Sequence, residues 1–430
     1  MALAQGLPDV AHFQRRGGEM CCEEVPLSEV ARTVGTPAFV YSAGAVRAAL
    51  AEIRQSLAPS PHLIAYAVKA NGSLAILAEL ASSGCGADIV SVGELLRCLE
   101  AGMPPERIVF SGVGKRDDEI AAALSAAIRS IHIESSQELD VVETIAAQMG
   151  TPARISLRVN PDVDAESHPY VATGLHDTKF GLEIASARAL LPRILGSEHL
   201  VLEGLTCHIG SQLGTTAPLR EAVEITARFA KECAEAGAPI RSLDAGGGWP
   251  IPYGDEERPF PSARDFGEAI RGGIDRAGAA DMGLEIIVEP GRALVGNAGV
   301  LVTRVLFVKE SPKKRFVIVD AAMTELIRPA LYQAHHGIEP VVTAGDAPVT
   351  AADVVGPVCE TGDFFAQDRL MPPVARGDLL VIHSAGAYGM SMASQYNARP
   401  RPPEVLVSGN TYRVVRDREK LADLQRGERL

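Results

Sequence analysis

The chain has 430 residues, with 41 Lys and Arg against 54 Asp and Glu, which gives a formal net charge of −13. This acidity excludes a general nucleic-acid-binding protein, which needs a positively charged surface. Hydrophobic residues make up 47% and charged residues 22% of the sequence, which is typical of a folded protein and too apolar for disorder. The length predicts two domains, or one large barrel with a second domain.

The sequence has no recognisable membrane-spanning or secretion segment, and its cysteines show no disulfide or metal-binding pattern. No stretch of about 18 uncharged apolar residues occurs, and the first residues lack the apolar region of a signal peptide. Seven scattered cysteines without a Cys-x-x-Cys pair fit a reducing compartment and argue against both a disulfide framework and a zinc cluster. We therefore expect a cytoplasmic protein that neither spans nor binds a membrane, with no metal site.

From about residue 45, short apolar runs alternate with Ala-, Leu- and Glu-rich segments at helical spacing. Most runs are continuously apolar, as in parallel strands that are buried on both faces. Eight such units in succession favour a (β/α)8 barrel over an open sheet. The predicted strands cover residues 63–68, 87–91, 107–112, 130–135, 155–160, 204–210, 242–248 and 285–291.

After Gly291 long helical patterns become scarce, and β-rich runs follow one another with polar turns between them. This pattern predicts a mostly antiparallel β domain. We expect an N-terminal segment, residues 1–44, to join that domain. The predicted division is therefore the segment 1–44, a barrel over 45–292 and a C-terminal β domain over 293–430.

Reactive side chains recur at the ends of the predicted barrel strands, where barrel enzymes carry their chemistry. Lys69 ends the first strand. It either extends out of the barrel mouth, or burial lowers the pKa of its amine and makes it a Schiff-base lysine. His208 ends the sixth strand, where its ring either stacks on a flat cofactor or is simply hydrogen-bonded.

The last two barrel strands end in anion-binding patterns. Gly246–Gly248 follow the seventh strand, and their backbone N–H groups could converge on a phosphate. Glu289 ends the eighth strand and could keep a ring nitrogen protonated, while Arg292 could hold a carboxylate or phosphate. The alternative is a Glu–Arg pair at the surface.

Two clusters fall in the β domain. Arg328 and Tyr332 offer a guanidinium and a phenol four residues apart, and Cys359 stands beside Glu360. An isolated cysteine is more often buried and inert. His335 and His336 are adjacent, so we expect their side chains to diverge rather than to bind one metal ion.

With these residues assembled, the chain closely resembles the diaminopimelate decarboxylase family, fold-type III pyridoxal-phosphate enzymes of lysine biosynthesis. The resemblance implies a TIM-like barrel with a C-terminal antiparallel β-sandwich or β-barrel domain, as in alanine racemase. It extends from about residue 20 to about residue 415. The motifs are Tyr66–Asn71, Ala87–Glu94, Thr178–Gly181, His208–Gln212, Asp244–Gly248, Glu289–Arg292, Leu326–Tyr332, Gly356–Asp363 and Gly386–Met390.

The resemblance also implies a cofactor, pyridoxal 5′-phosphate, and a homodimer whose active sites lie at the subunit interface. Lys69, His208 and Cys359 would be catalytic, with Cys359 donating a proton from the other subunit. The implied cofactor-binding residues are Lys69, Asp88, His208, Ser211, Gly246, Gly247, Gly248, Glu289, Gly291, Arg292 and Tyr388. The implied substrate-binding residues are Arg292, Arg328, Tyr332, Glu360 and Tyr388.

The reaction implied by the family is decarboxylation of meso-2,6-diaminopimelate to L-lysine. Arg328 with Tyr332 suits the distal carboxylate of that substrate, which simple diamine precursors lack. The main alternative is a decarboxylase of the same fold acting in secondary metabolism on another amino acid or a carrier-bound acyl group. A racemase is less consistent with Glu289, because racemases pair the ring nitrogen with arginine, and a non-catalytic regulator is less consistent with the presence of Lys69 and Cys359.

Overall fold

A computed structural model describes residues 10–164, 179–343, 345 and 347–430. The chain divides into two compact units. The first, the β unit, comprises Met1–Ala48, Ile251–Pro259 and Leu294–Leu430, and the second, the barrel unit, comprises Ala49–Pro250 and Phe260–Ala293. In the described part of the chain, we find no helix with the length and apolarity that crossing a bilayer requires.

The N-terminal part of the β unit begins with a small antiparallel sheet and a short amphipathic helix. Leu27, Val30 and Ala31 lie on one face of that helix and are buried, as expected for apolar residues spaced three and four apart. The elements are β1 (Phe13–Arg16), β2 (Glu19–Cys22), β3 (Val25–Pro26), α1 (Leu27–Val34) and β4 (Ala38–Ser42).

Alternating strands and helices follow and form the barrel. The elements are α2 (Ala43–Leu57), β5 (His62–Ala67), α3 (Leu74–Ser82), β6 (Gly86–Ile89), α4 (Val92–Glu100), β7 (Ile108–Phe110), α5 (Asp117–Ser125), β8 (Ser130–Ile133), α6 (Ser136–Met149), β9 (Ala153–Asn160), β10 (Leu182–Glu183), α7 (Ile184–Gly196), β11 (Leu200–Thr206), α8 (Ala217–Glu235), β12 (Ser242–Asp244), α9 (Ala263–Arg276), β13 (Glu285–Val288) and α10 (Arg292–Val295).

Eight parallel strands close the barrel in the order β5-β6-β7-β8-β9-β11-β12-β13, with β13 pairing back onto β5. The two-residue β10 adds parallel to β9 outside the closed ring. Several helices begin at a serine that caps a free backbone N–H. Ser91 does so for α4 and Ser135 for α6, which anchors the turns that leave the strand ends.

The rest of the β unit is a mixed sheet. Its central run is β18-β17-β15-β14-β4-β20-β21, and β19 also pairs with β14. The β15–β17 and β4–β20 pairs are parallel, and the other pairs are antiparallel. The elements are β14 (Gly299–Glu310), β15 (Arg315–Val319), α11 (Arg328–Tyr332), β16 (Ile338–Pro340), β17 (Thr350–Val355), β18 (Phe364–Met371), β19 (Leu379–Ile382), β20 (Glu404–Ser408) and β21 (Thr411–Arg416).

The predicted fold class is confirmed, since all eight predicted barrel strands are present and a separate β-sheet unit accompanies them. The sequence did not reveal β16, β17 or β18. The reason is visible in β18, whose sequence FFAQDRLM has three polar residues in succession. That segment therefore lacks the apolar alternation that marks a half-buried strand.

Candidate active site

The predicted site residues of the barrel unit lie at the carboxyl ends of its strands. Lys69 follows β5, Asp88 is on β6, His208 follows β11 and Glu289 follows β13. Because all eight strands are parallel, these ends meet on one rim of the barrel. The structure therefore brings these predicted groups to one face of the unit.

Lys69 lies in a short turn directly after β5, and its Nζ is 3.3 Å from Oδ2 of Asp88. The Lys69 side chain is 45% exposed, whereas that of Asp88 is fully buried. Of the two alternatives for Lys69, the exposed amine agrees with a side chain that extends toward the barrel mouth, because the short turn after β5 places it at the rim. The other Asp88 oxygen, Oδ1, is buried without a hydrogen-bond partner among the described residues.

Glu94 is a further acid beside this pair. Its Oε2 accepts a hydrogen bond of 2.8 Å from the backbone N–H of Val90. Burial raises the pKa of Glu94 to about 7, and the neighbouring Asp88 charge adds to that shift. Glu94 lay within a family motif but was assigned no role from the sequence.

Glu289 is buried, not part of a surface pair, and it belongs to a cluster with Ser111, His132 and Asp244. The Ser111 hydroxyl lies 3.0 Å from His132 Nδ1 and 3.3 Å from Glu289 Oε1. His132 Nε2 is 4.0 Å from Asp244 Oδ2. These four residues are at least nine-tenths buried, so their charges are only weakly solvated.

Burial favours the uncharged form of each titratable group in this cluster. Burial, followed by the nearby Asp244 and Asp88 charges, raises the pKa of Glu289 well above its usual range. Burial likewise raises the pKa of Asp244 to about 7 and lowers the pKa of His132 well below its usual range. A positive charge placed against Glu289 would stabilise its ionised form.

This cluster predicts a pH-dependent stability of the cofactor-free protein. Asp244 holds a proton in the folded state up to about pH 7, whereas in the unfolded chain it ionises near pH 4. The protonated Asp244 carboxyl therefore contributes fully to the free energy of unfolding below pH 4, and this contribution is lost as the pH rises to 7. Asp244→Asn cannot ionise, so we expect it to exceed the wild type in stability by roughly 1–4 kcal/mol at pH 8.

Denaturant unfolding of both proteins at pH 5 and pH 8 measures this difference. The gain of Asp244→Asn should shrink markedly at pH 5. Asp118→Asn is the matched control, because Asp118 is exposed and pairs with Arg116 at the surface. We expect this variant to be no more stable than the wild type at pH 8. An Asp244→Asn variant that is less stable than the wild type at pH 8 would contradict the prediction.

The glycine loop after β12 is shaped by close backbone contacts. Gly246 has a φ of +69°, and a Cβ there would lie 2.6 Å from the Cys207 carbonyl oxygen. A Cβ on Gly247 would lie 2.7 Å from the Glu289 carbonyl oxygen. The loop therefore requires glycine to pass between the ends of β11 and β13.

His208 packs against this loop. The backbone N–H of Gly247 donates to His208 Nδ1 over 3.1 Å, so Nδ1 carries the lone pair. Burial lowers the pKa of His208 well below its usual range, and the Arg158 and Lys69 charges add to that shift. His208 is thus held as a neutral ring in a fixed tautomer.

Beyond β13, Gly291 and Arg292 lie beside the first and sixth strand ends. A Cβ on Gly291 would lie 3.1 Å from the methyl groups of Ala67 and Ala70. Arg292 Nη2 lies 3.4 Å from Ser211 Oγ, so this pair joins two of the predicted phosphate-binding residues.

Arg158 on β9 is a site residue that the sequence interpretation missed. Its Nη1 donates 2.9 Å to Glu134 Oε1, and its guanidinium lies 4.9 Å from the Phe180 ring centroid. Glu134 also accepts the backbone N–H groups of Gly112 and Gly181. Arg158 and His132 interrupt the apolar runs ISLRVN and SIHIES, and that interruption is a signal that could have identified them.

The predicted substrate residues Arg328 and Tyr332 lie in the β unit, at the two ends of α11. Residues four apart share one face of a helix. Arg328 is buried, whereas Tyr332 is 36% exposed. Tyr388 also belongs to this unit and has a φ of +57°.

Cys359 is exposed, unlike the buried thiol that an isolated cysteine usually provides, and Glu360 beside it is also exposed. The loop is fixed from within by Asp363, whose carboxylate accepts the N–H groups of Val358 and Met323 at 2.7 and 2.6 Å. The N–H of Cys359 itself donates to Asn397 Oδ1 over 2.9 Å. The thiol is thus presented outward on a constrained backbone.

Thr178, the first residue of the Thr178–Gly181 motif, lies outside the described residues, as do His168 and Tyr170, which the sequence suggests belong to a loop after Asn160.

Comparisons with known proteins bear on this arrangement. Residues 43–296 match the family model for the pyridoxal-dependent decarboxylase, pyridoxal binding domain. Diaminopimelate decarboxylase of Pseudomonas aeruginosa is 47% identical over 97% of this chain and 99% of its own length. The enzyme of Neisseria meningitidis serogroup A is 48% identical over 93% of this chain and 96% of its own length.

Solved structures agree with the sequence relatives. The crystal structure of diaminopimelate decarboxylase from Helicobacter pylori complexed with L-lysine superposes with a TM-score of 0.88 at 41% identity, covering 93% of this chain and 98% of that one. The enzyme from M. jannaschii, also in complex with L-lysine, gives a TM-score of 0.90 at 34% identity, covering 100% of this chain and 99% of that one.

The family model covers more than half of this chain, and the relatives align over almost all of it. The same stretch contains the lysine, the buried glutamate and the glycine loop at the barrel rim. The chain belongs to the diaminopimelate decarboxylase family of pyridoxal-dependent decarboxylases.

Proposed function

We propose that this chain decarboxylates meso-2,6-diaminopimelate to L-lysine and CO2 with pyridoxal 5′-phosphate as its cofactor. In this reaction the bond between one α-carbon and its carboxyl group breaks, CO2 leaves, and a proton takes its place on that carbon. The observation that carries the proposal is the barrel rim, where Lys69, neutral His208, buried Glu289 and the glycine loop are found in a member of this family.

The residues at the rim fit a flat cofactor with a phosphate and a ring nitrogen. Burial raises the pKa of Glu289 by disfavouring its negative charge, so a protonated ring nitrogen beside it would suit this acid. The glycine loop has no side chains where a phosphate would approach the backbone, and a Cβ at Gly246 or Gly247 would meet neighbouring carbonyl oxygens. When bound, pyridoxal phosphate supplies an electron sink for the carbanion that loss of CO2 leaves.

The residues at the rim would then have the following roles. Lys69 would hold the cofactor covalently through Nζ, with Asp88 beside the amine. His208 would pack on the ring, and Glu289 would keep a proton on the ring nitrogen. The phosphate would be held by Ser211, Gly246, Gly247, Gly248, Gly291, Arg292 and Tyr388.

Two arginines, two tyrosine hydroxyls and one carboxylate would recognise the substrate. Arg328 and Tyr332 would bind the distal carboxylate, Glu360 the distal ammonium, and Arg292 with Tyr388 would complete the substrate contacts. A planar guanidinium suits a carboxylate because it can donate two parallel hydrogen bonds. A simple diamine precursor has no group for Arg328 to bind.

We further propose that the enzyme is a cytoplasmic homodimer with active sites at the interface. Cys359 of the partner subunit would donate the proton that replaces the lost carboxyl group. The exposure of the Cys359 thiol and its constrained backbone support this role. A proton donor must be accessible to the reacting carbon and held in a fixed position. The net charge of −13 supports the expectation of no nucleic-acid partner.

CO2 release by the cofactor-loaded protein tests the proposed reaction. The substrates are meso-diaminopimelate, LL-diaminopimelate, L-lysine, L-ornithine and L-arginine, with Lys69→Ala as the blank. We expect turnover of the meso isomer alone, because the family acts at the D-centre that the other four lack. Turnover of ornithine or arginine instead, or of none of the five by a cofactor-loaded protein, would contradict the proposal.

A further inference from the structure

Arg328 belongs to a cluster of three side chains in the β unit, and the proposed function assigns no task to the other two. The guanidinium of Arg328 lies over the Tyr253 ring, 4.7 Å from its centroid. Arg328 Nη1 lies 2.8 Å from His336 Nε2. His336 in turn meets Tyr253 edge-on, with ring centroids 5.3 Å apart. We call Tyr253, Arg328 and His336 the Arg328 cluster.

The hydrogen bonds determine the tautomer of His336. Its Nδ1 lies 2.8 Å from the carbonyl oxygen of His383, and a carbonyl oxygen can only accept, so Nδ1 carries the hydrogen. Arginine can only donate, so Nε2 must present its lone pair to Arg328. His336 is thus a neutral ring that joins the end of β19 to the guanidinium.

This arrangement restricts Arg328 in two directions. The Tyr253 ring covers one face of the guanidinium, and the His336 lone pair fixes its rotation in the plane. His336 is fully buried, and its own carbonyl oxygen accepts a 3.0 Å hydrogen bond from Arg369. A fixed guanidinium loses less entropy when it receives a carboxylate, so orientation increases affinity.

We propose that His336 is a positioning residue that orients Arg328 toward the distal carboxylate and thereby sets the affinity for ligands that carry it. This inference rests on the proposed function, in which Arg328 binds that carboxylate. L-lysine retains the distal carboxylate after the other has left as CO2, and cadaverine is the same molecule without it. The two compounds therefore form a matched pair of ligands.

The experiment measures the affinity of the cofactor-loaded protein for L-lysine and cadaverine from the change in the visible absorbance of the cofactor, together with kcat and KM for meso-diaminopimelate. His336→Phe keeps the ring but removes the acceptor. His336→Asn keeps a donor near Nδ1 but cannot reach Arg328. His336→Gln can still place an acceptor near Nε2.

We expect His336→Phe and His336→Asn to weaken L-lysine binding and raise KM by about tenfold or more, with cadaverine binding within about twofold of the wild type and kcat little changed. His336→Gln should recover most of the affinity. His335→Phe is the matched control, because Nδ1 of the neighbouring His335 lies 3.1 Å from Arg369 Nη2, and we expect it to leave both affinities unchanged.

Equal weakening of both ligands, or unchanged L-lysine binding in the variants, would overturn the inference. If His336→Phe fails to load the cofactor, the comparison of His336→Asn with His336→Gln still tests the inference, since only His336→Gln should recover the affinity for L-lysine. Failure of the proposed function gives a different result, because the wild-type protein would then release no CO2 from meso-diaminopimelate.

Discussion

Replacing Lys69 by alanine should reduce CO2 release from meso-diaminopimelate by about a thousandfold or more at saturating cofactor. The Lys69 amine is at the barrel rim, 3.3 Å from Asp88, and no other lysine occurs in the family motif Tyr66–Asn71. Without Lys69, the cofactor would have no covalent attachment to the protein, and no lysine amine would be present to displace the product from the cofactor. Initial rates of CO2 release measure the loss.

Lys69→Arg separates covalent chemistry from charge. An arginine retains the positive charge beside Asp88 but its guanidinium stays protonated and cannot serve as a nucleophile. We expect it to be as inactive as Lys69→Ala. Borohydride should fix the cofactor on the wild-type chain, with mass spectrometry locating the adduct at residue 69, and on neither variant. Substantial turnover by Lys69→Arg would contradict the assigned role.

The second large effect concerns Cys359. Cys359→Ala should lower kcat by about a hundredfold or more, since a positioned proton donor contributes on this scale. The backbone of the loop should be unaffected, because Asp363 and Asn397 fix it through main-chain N–H groups. Cys359→Ser retains a weaker acid and should lie between alanine and the wild type.

Mixing subunits tests whether the thiol acts across the dimer. We expect Lys69→Ala and Cys359→Ala each to be nearly inactive, but in the proposed dimer a heterodimer of the two would have one site with both residues intact. An equal mixture that exchanges freely should recover about a quarter of the wild-type activity. A mixture of Lys69→Ala with the double variant should recover none. No recovery in the first mixture, despite demonstrated exchange, would place Cys359 and Lys69 in the same subunit's site.

The sequence predicted the location of the reactive side chains that directly follow barrel strands. Continuous apolar runs followed by Lys69, His208 or Glu289 located the barrel rim correctly, because the parallel topology brings such ends together. Tyr66–Asn71 illustrates the limit. The apolar strand left open whether Lys69 is buried or extends out of the barrel mouth, and the turn after Ala67, which the sequence did not reveal, places the amine at the rim.

The sequence did not predict side-chain contacts between residues that are far apart along the chain. Adjacent His335 and His336 were expected to diverge, and they do, but nothing local shows that His336 accepts from Arg328 while His335 contacts Arg369. Tyr253 enters the Arg328 cluster from a segment between β12 and α9. The position of such a residue depends on tertiary packing, and periodicity reports only on its own segment.

Strand β4 has a consequence for the order in which the chain can fold during synthesis. Val40 pairs with Val405, near the opposite end of the chain, whereas the last barrel strand is complete at Val288. The ribosome therefore releases every barrel strand well before β20 emerges, and until then one side of β4 is an unpaired strand edge. Such edges pair readily with other chains, so the β unit is the part of this protein most exposed to misassembly while translation is unfinished.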